Sequence, residues 1–109
     1  MDENKIELRR YRSVDGRVPY SEWLRDLDDS TAGRVSAYVD RMKSGNFGTS
    51  EPVGEGVSEL KIGFGPGYRV YYIRDGRTVV ILLCGGDKSS QPADIRKAKA
   101  FAADYGRRK

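Results

Sequence analysis

The sequence predicts an α+β fold: a small twisted antiparallel sheet with two helices before its main strands and one after, in the order β-α-α-β-β-β-α. Three observations carry that prediction. Val57 to Ser90 (VSELKIGFGPGYRVYYIRDGRTVVILLCGGDKSS) reads as three strands of one meander. Upstream of it, apolar residues recur at helical spacing in two successive stretches. Downstream they do so once more.

Lys5 to Tyr11 (KIELRRY) alternates weakly and is short, which suits an N-terminal strand at an edge where its charges are tolerated. Asp15-Gly16 marks a turn. Pro19 opens a helix without a donor to lose, and Tyr20, Trp23, Leu24 and Leu27 form its apolar stripe. Trp23 could stack on a base, but its place in that stripe makes it a core anchor. Asp28-Asp29-Ser30 ends this helix and caps the next. Ala32, Val35, Val39 and Met42 are the second stripe, with Gly45 as its stop.

Asn46 to Gly56 (NFGTSEPVGEG) reads as loop by composition, with Phe47 tucked under the sheet. In the meander, Tyr68 to Ile73 is β-branched and aromatic. Asp75-Gly76 supplies a two-residue turn. Thr78 to Cys84 is almost unbroken apolar sequence, as expected of a central strand covered on both faces. Ile95, Ala98, Ala102 and Tyr105 then lie on one face of a last helix, capped by Ser89 or Ser90, and Arg107-Arg108-Lys109 is expected to fray. Residues 1–109 make one domain.

Lys61 falls near the end of the first meander strand, Arg69 early in the second and Lys88 just past the third. Neighbouring strands run in opposite directions, so all three cations are expected at one rim of the sheet. The glycines of Gly63 to Gly67 (GFGPG) beside them allow a close backbone approach by a phosphate. Charge supports an anionic partner: residues 1–60 sum to −3 and residues 61–109 to +7.

Other classes fall away. The chain has no histidine, which removes the commonest general acid–base and metal ligand. With one cysteine, a disulfide framework is excluded and a zinc site is not expected; Cys84 reads as a buried thiol. No apolar run is long enough for a membrane span, and MDENKIEL lacks signal-peptide character, so the expected compartment is the cytoplasm. No cofactor is expected.

Val53 to Tyr72 (VGEGVSELKIGFGPGYRVYY) and Leu82 to Phe101 (LLCGGDKSSQPADIRKAKAF), with Asn46 to Gly48 (NFG) upstream, resemble the RelE/ParE superfamily of bacterial toxins. The nearest likeness is to its HigB-like "addiction module killer protein" branch, also known as phage-derived Gp49-like proteins. The resemblance spans essentially the whole chain and implies a RelE-like fold. It implies the toxin of a type II toxin–antitoxin module that cuts mRNA on the ribosome without metal. The implied partners are a helix-turn-helix (HigA-like) antitoxin, the ribosome with its mRNA, and operator DNA reached only through the antitoxin complex.

On that resemblance the catalytic residues are Lys61, Arg69 and Lys88. Arg69 matches the strand arginine that contacts the scissile phosphate. Lys61 matches a lysine acting as base or electrostatic aid, the base role requiring that neighbouring cations favour its neutral amine. Lys88 matches a further cation that holds the phosphate or helps protonate the leaving group. Tyr68 and Tyr71 are candidates to stack on or donate to RNA, with packing the favoured role of both, and Ser89 and Ser90 are candidates to contact it. The histidine of many relatives is missing here, and Gln91 to Asp94 (QPAD) contains no tyrosine where one is sought; Ser89, Ser90, Asp87 or the ribosome are the open substitutes, and the general acid is unassigned. Two other readings stay open. The scaffold also serves ParE-like toxins that poison a protein target such as DNA gyrase, and an inactive homologue would only bind its antitoxin.

Overall fold

The computed structural model describes residues 5–109. The first four residues, part of the stretch on which the expectation of no leader rests, lie outside the described residues. The elements are β1 (Glu7–Arg10), α1 (Pro19–Arg25), α2 (Asp29–Asp40), β2 (Thr49–Gly54), β3 (Val57–Ile62), β4 (Tyr68–Asp75), β5 (Val79–Asp87) and α3 (Gln91–Arg108), with short 3-10 turns at Arg41–Ser44 and Lys88–Ser90. The five strands form one sheet in the order β1-β5-β4-β3-β2. Helices α1 and α2 cover one face and α3 the other. This is a compact α+β molecule.

Two corrections to the expected sheet follow. The sheet is mixed, because β1 lies parallel to β5, with Glu7 opposite Val79 and Arg10 opposite Leu82. A hairpin would have forced antiparallel pairing, whereas the intervening helices let β1 dock on the far edge. The stretch expected to be loop contains β2, which pairs antiparallel with β3. Loop-like composition misleads there because β2 is an edge strand, where Pro52 and a bulge before Gly54 are tolerated. A tight turn through Glu55 (φ 56°) and Gly56 (φ 81°) joins the two strands, with no hydrophobic alternation beside it to reveal it.

The rest is built as its residues dictate. Val35, Val39 and Met42 of the second stripe are buried against Leu60, Ile62, Val70, Tyr72, Val80 and Leu82. Asp28 caps α2 by accepting from the Thr31 amide, and Gly45 stops the chain in the left-handed region at φ 88°. Trp23 and Phe47 pack against this same cluster. On the α3 side Tyr11, Val57, Tyr71, Ile81, Leu83, Cys84 and Ala98 form a second cluster. Strand β5 lies inside the sheet, with Val80 to Cys84 buried between the two helical layers. The β4–β5 loop is one residue longer than expected: Asp75 still pairs with Val79, and Gly76 alone has positive φ.

The C-terminal tail is anchored, not frayed. Helix α3 runs to Arg108, whose guanidinium meets Asp104 at 2.8 Å, and Lys109 meets Asp75 at 2.6 Å. The turn into α3 is capped by Asp87, which accepts from the Ser89 amide; neither serine caps α3 itself.

Candidate functional site

Strand register brings the three cations together. Lys61 on β3 stands opposite Arg69 on β4, and Arg69 stands opposite Gly86, two residues before Lys88. A side chain at Gly67 would begin 3.6 Å from Arg69 Nη1 and 3.7 Å from Lys88 Cβ, so the end of the GFGPG loop touches both. Phe64 holds that loop down, packing on Tyr38 and Tyr68, with the Arg34 guanidinium 3.8 Å above its ring. Lys61 is part-exposed and Lys88 exposed. Arg69 is 12% exposed and reaches the rim from below.

Beneath Arg69 lies a carboxylate that sequence reasoning missed. Glu59 is 2% exposed, on the α3 face of β3, and its Oε1 is 3.8 Å from Arg69 Nε. Its other oxygen accepts from Tyr71 Oη at 3.0 Å and from Gln91 Nε2 at 2.7 Å. Arg69 Nε is buried with no hydrogen-bond partner among the described residues, so the pair is held by charge rather than by a formed bond. Burial, first, and then the Glu59 charge push the Tyr71 phenol far above its ordinary value. It therefore stays a donor that locks Glu59 in place. Alternation was the available signal: Glu59 shares a face with Val57, which a surface glutamate would not do.

The remaining candidates divide. Tyr71 has no exposed surface, and its hydroxyl is occupied by Glu59; as an RNA-stacking residue it is a correction. Burial on a helix-covered face is the cause. Tyr68 points to the opposite face from Arg69, packed on Trp23 and Phe64, so it does not join the cationic rim. Ser89 is exposed beside Lys88, its hydroxyl donating to Asp87 at 2.5 Å. That bond and the Ser89 amide hold the Asp87 carboxyl below its usual range. Ser90 turns inward to donate to Asp94. Lys61 Nζ lies 3.0 Å from Glu51 Oε1, an ion pair across the β2–β3 edge.

Among the described residues, no three His, Cys, Asp or Glu side chains converge as a metal site requires. No described helix is long and apolar enough to cross a membrane.

The class defined so far is a compact α+β protein with a five-stranded mixed sheet and a cationic rim over a buried Arg–Glu pair. The family model "Phage derived protein Gp49-like (DUF891)" matches residues 22–104, from α1 almost to the end of α3. The chain belongs to that family. It is also 43% identical over 90 residues to an uncharacterized protein of Haemophilus influenzae, covering 82% of this chain and 91% of that one.

Proposed function

We propose that the protein is the toxin of a type II toxin–antitoxin module, a HigB-like member of the RelE/ParE superfamily that cleaves mRNA on the ribosome. Membership of the Gp49-like family supports the toxin reading. The observation that carries the chemistry is the meeting of Lys61, Arg69 and Lys88 at one rim, with Arg69 braced from beneath by Glu59.

Such a rim suits phosphoryl transfer without a metal. The 2′-OH attacks the adjacent phosphorus, the P–O5′ bond breaks, and a 2′,3′-cyclic phosphate and a 5′-OH end result. Negative charge builds on the non-bridging oxygens, where Arg69 supplies a planar donor fork and Lys88 a mobile ammonium. Lys61, paired with Glu51, adds charge at the edge. The proton taken from the 2′-OH passes to a group of the ribosome or the mRNA, and the one given to O5′ comes from the exposed Lys88 ammonium or from the ribosome. A helix-turn-helix antitoxin would neutralise the toxin in the cytoplasm and carry the complex to operator DNA.

The test is induction in bacteria without antitoxin, mapping 5′ ends on a reporter mRNA beside an Arg69→Ala control. Translation-dependent cuts that vanish in the control support the nuclease. Growth arrest with intact mRNA moves the reading to a protein target such as DNA gyrase, which the lack of any histidine in the chain favours. No arrest leaves a homologue that only binds its antitoxin.

A further inference from the structure

Strand β1 accompanies β5 only as far as Leu82, where the Tyr11 amide makes the last bond to its carbonyl. The chain then turns away, held off by Arg108, which donates to the Arg12 carbonyl. From Leu83 to Asp87, β5 keeps β4 on one side and, among the described residues, makes no backbone bond to any strand on the other. This bare edge is recessed. Trp23 of α1 closes over Gly85 on one face and Asp94 of α3 over Gly86 on the other, so close that a Cβ at either glycine would collide.

The edge forms the floor of a cleft of about 1020 Å³ between α1, α3 and the turn after β1. That is the size of a ligand site rather than a packing defect. Val14, the exposed large hydrophobic residue among those described, stands 79% exposed at its mouth. The walls are acidic on a chain of net charge +4. Asp15, Asp26, Asp87 and Asp94 all line the cleft, and none has a cation within ion-pair distance among the described residues. Arg17 is spent on Glu22, which leaves Lys97 as the cation of the lining without an ion pair among the described residues.

We infer that this cleft binds an extended, positively charged segment of a partner protein, which adds to β5 as a further strand beyond the end of β1. Main-chain bonds to the bare edge would supply affinity and the carboxylate walls the choice of a basic sequence. The close approach of Trp23 and Asp94 on the two faces of the edge hinders open edge-to-edge pairing between copies. The cleft adjoins the cationic rim through Gly86, Asp87 and Ser90, but the inference does not depend on cleavage.

The experiment titrates a blocked peptide of alternating Val and Lys into the ¹⁵N-labelled full chain. Its Val–Glu counterpart and a Val–Lys peptide N-methylated at alternate amides serve as comparisons. Expected are saturable shifts confined to Leu83–Asp87 and the cleft walls, slower exchange of the Gly85 amide, and binding at least about tenfold weaker for both comparison peptides. An Asp15→Lys/Asp26→Lys double variant, altered only at exposed positions, should bind the Val–Lys peptide as poorly. Equal binding by the Val–Glu or N-methylated peptide, shifts centred elsewhere, or no saturation by the Val–Lys peptide would overturn the inference.

Discussion

Glu59 carries out at residue scale what a whole layer of side chains usually does, fixing one functional group from inside the fold. Its carboxylate faces Arg69 and is held by Tyr71 and Gln91. Replacing it by glutamine keeps the shape and removes the charge that Arg69 faces. Because breaking a buried pair leaves an uncompensated ion, Glu59→Gln should lower stability by about 3 kcal/mol in urea unfolding. A loss below about 1 kcal/mol would mean that water, not Glu59, serves the guanidinium. Cys84 offers a second prediction at this scale. Burial, then the nearby Asp94 charge, pushes its thiol up to about 12 from 9.0. Alkylation by iodoacetamide at neutral pH should therefore be negligible in the native protein and prompt in denaturant.

Among the elements, α3 depends on two carboxylates that tie it to the rest. Asp104 accepts from Tyr11 and meets Arg108, while Asp75 meets Lys109 and accepts from Tyr105. These contacts hold both carboxyls below their ordinary value of 3.8. A depressed native value means that the stabilisation is present above the unfolded value and lost as pH falls through the native one. Amide exchange in the last turns of α3 should thus accelerate below about pH 4, and an Asp75→Asn/Asp104→Asn variant should lack that acid limb. An unchanged profile in the variant would place the acid sensitivity elsewhere. The elements also differ in how legible they were. Strand β5 and helix α2 announced themselves because their apolar residues follow one period and cannot be satisfied otherwise. Strand β2 did not, because an edge strand takes its conformation from its neighbour's hydrogen bonds and buries little of its own.

For the whole molecule, the sheet separates two apolar clusters that share β4 and β5. Such an arrangement should unfold as one unit. Leu83 belongs to the α3-side cluster, and Trp23 packs on the other. Leu83→Ala should cost about 2–5 kcal/mol and shift Trp23 fluorescence and helical circular dichroism together. Transitions that separate would show that the α1–α2 layer stands without α3. The candidate site belongs to this scale as well. Lys61, Arg69 and Lys88 could be placed at one rim from the meander alone, since hairpin topology fixes which strand ends coincide. Tyr68 and Tyr71 both pack, the role their strand favoured over RNA stacking: alternation gives them opposite faces, and only the helices above those faces decide what stays exposed.

The sequence by itself determined the helices, the three-stranded meander and the strand ends that carry the cations. All of these follow from local periodicity and turn chemistry, which act between near neighbours. Tertiary structure alone decided that β1 runs parallel beside β5, that β2 is a strand, that Glu59 lies under Arg69, and that β5 ends in a bare, acid-walled edge. Each of those is a pairing between distant segments. Its free energy comes from surfaces that do not exist until the helices have closed over the sheet.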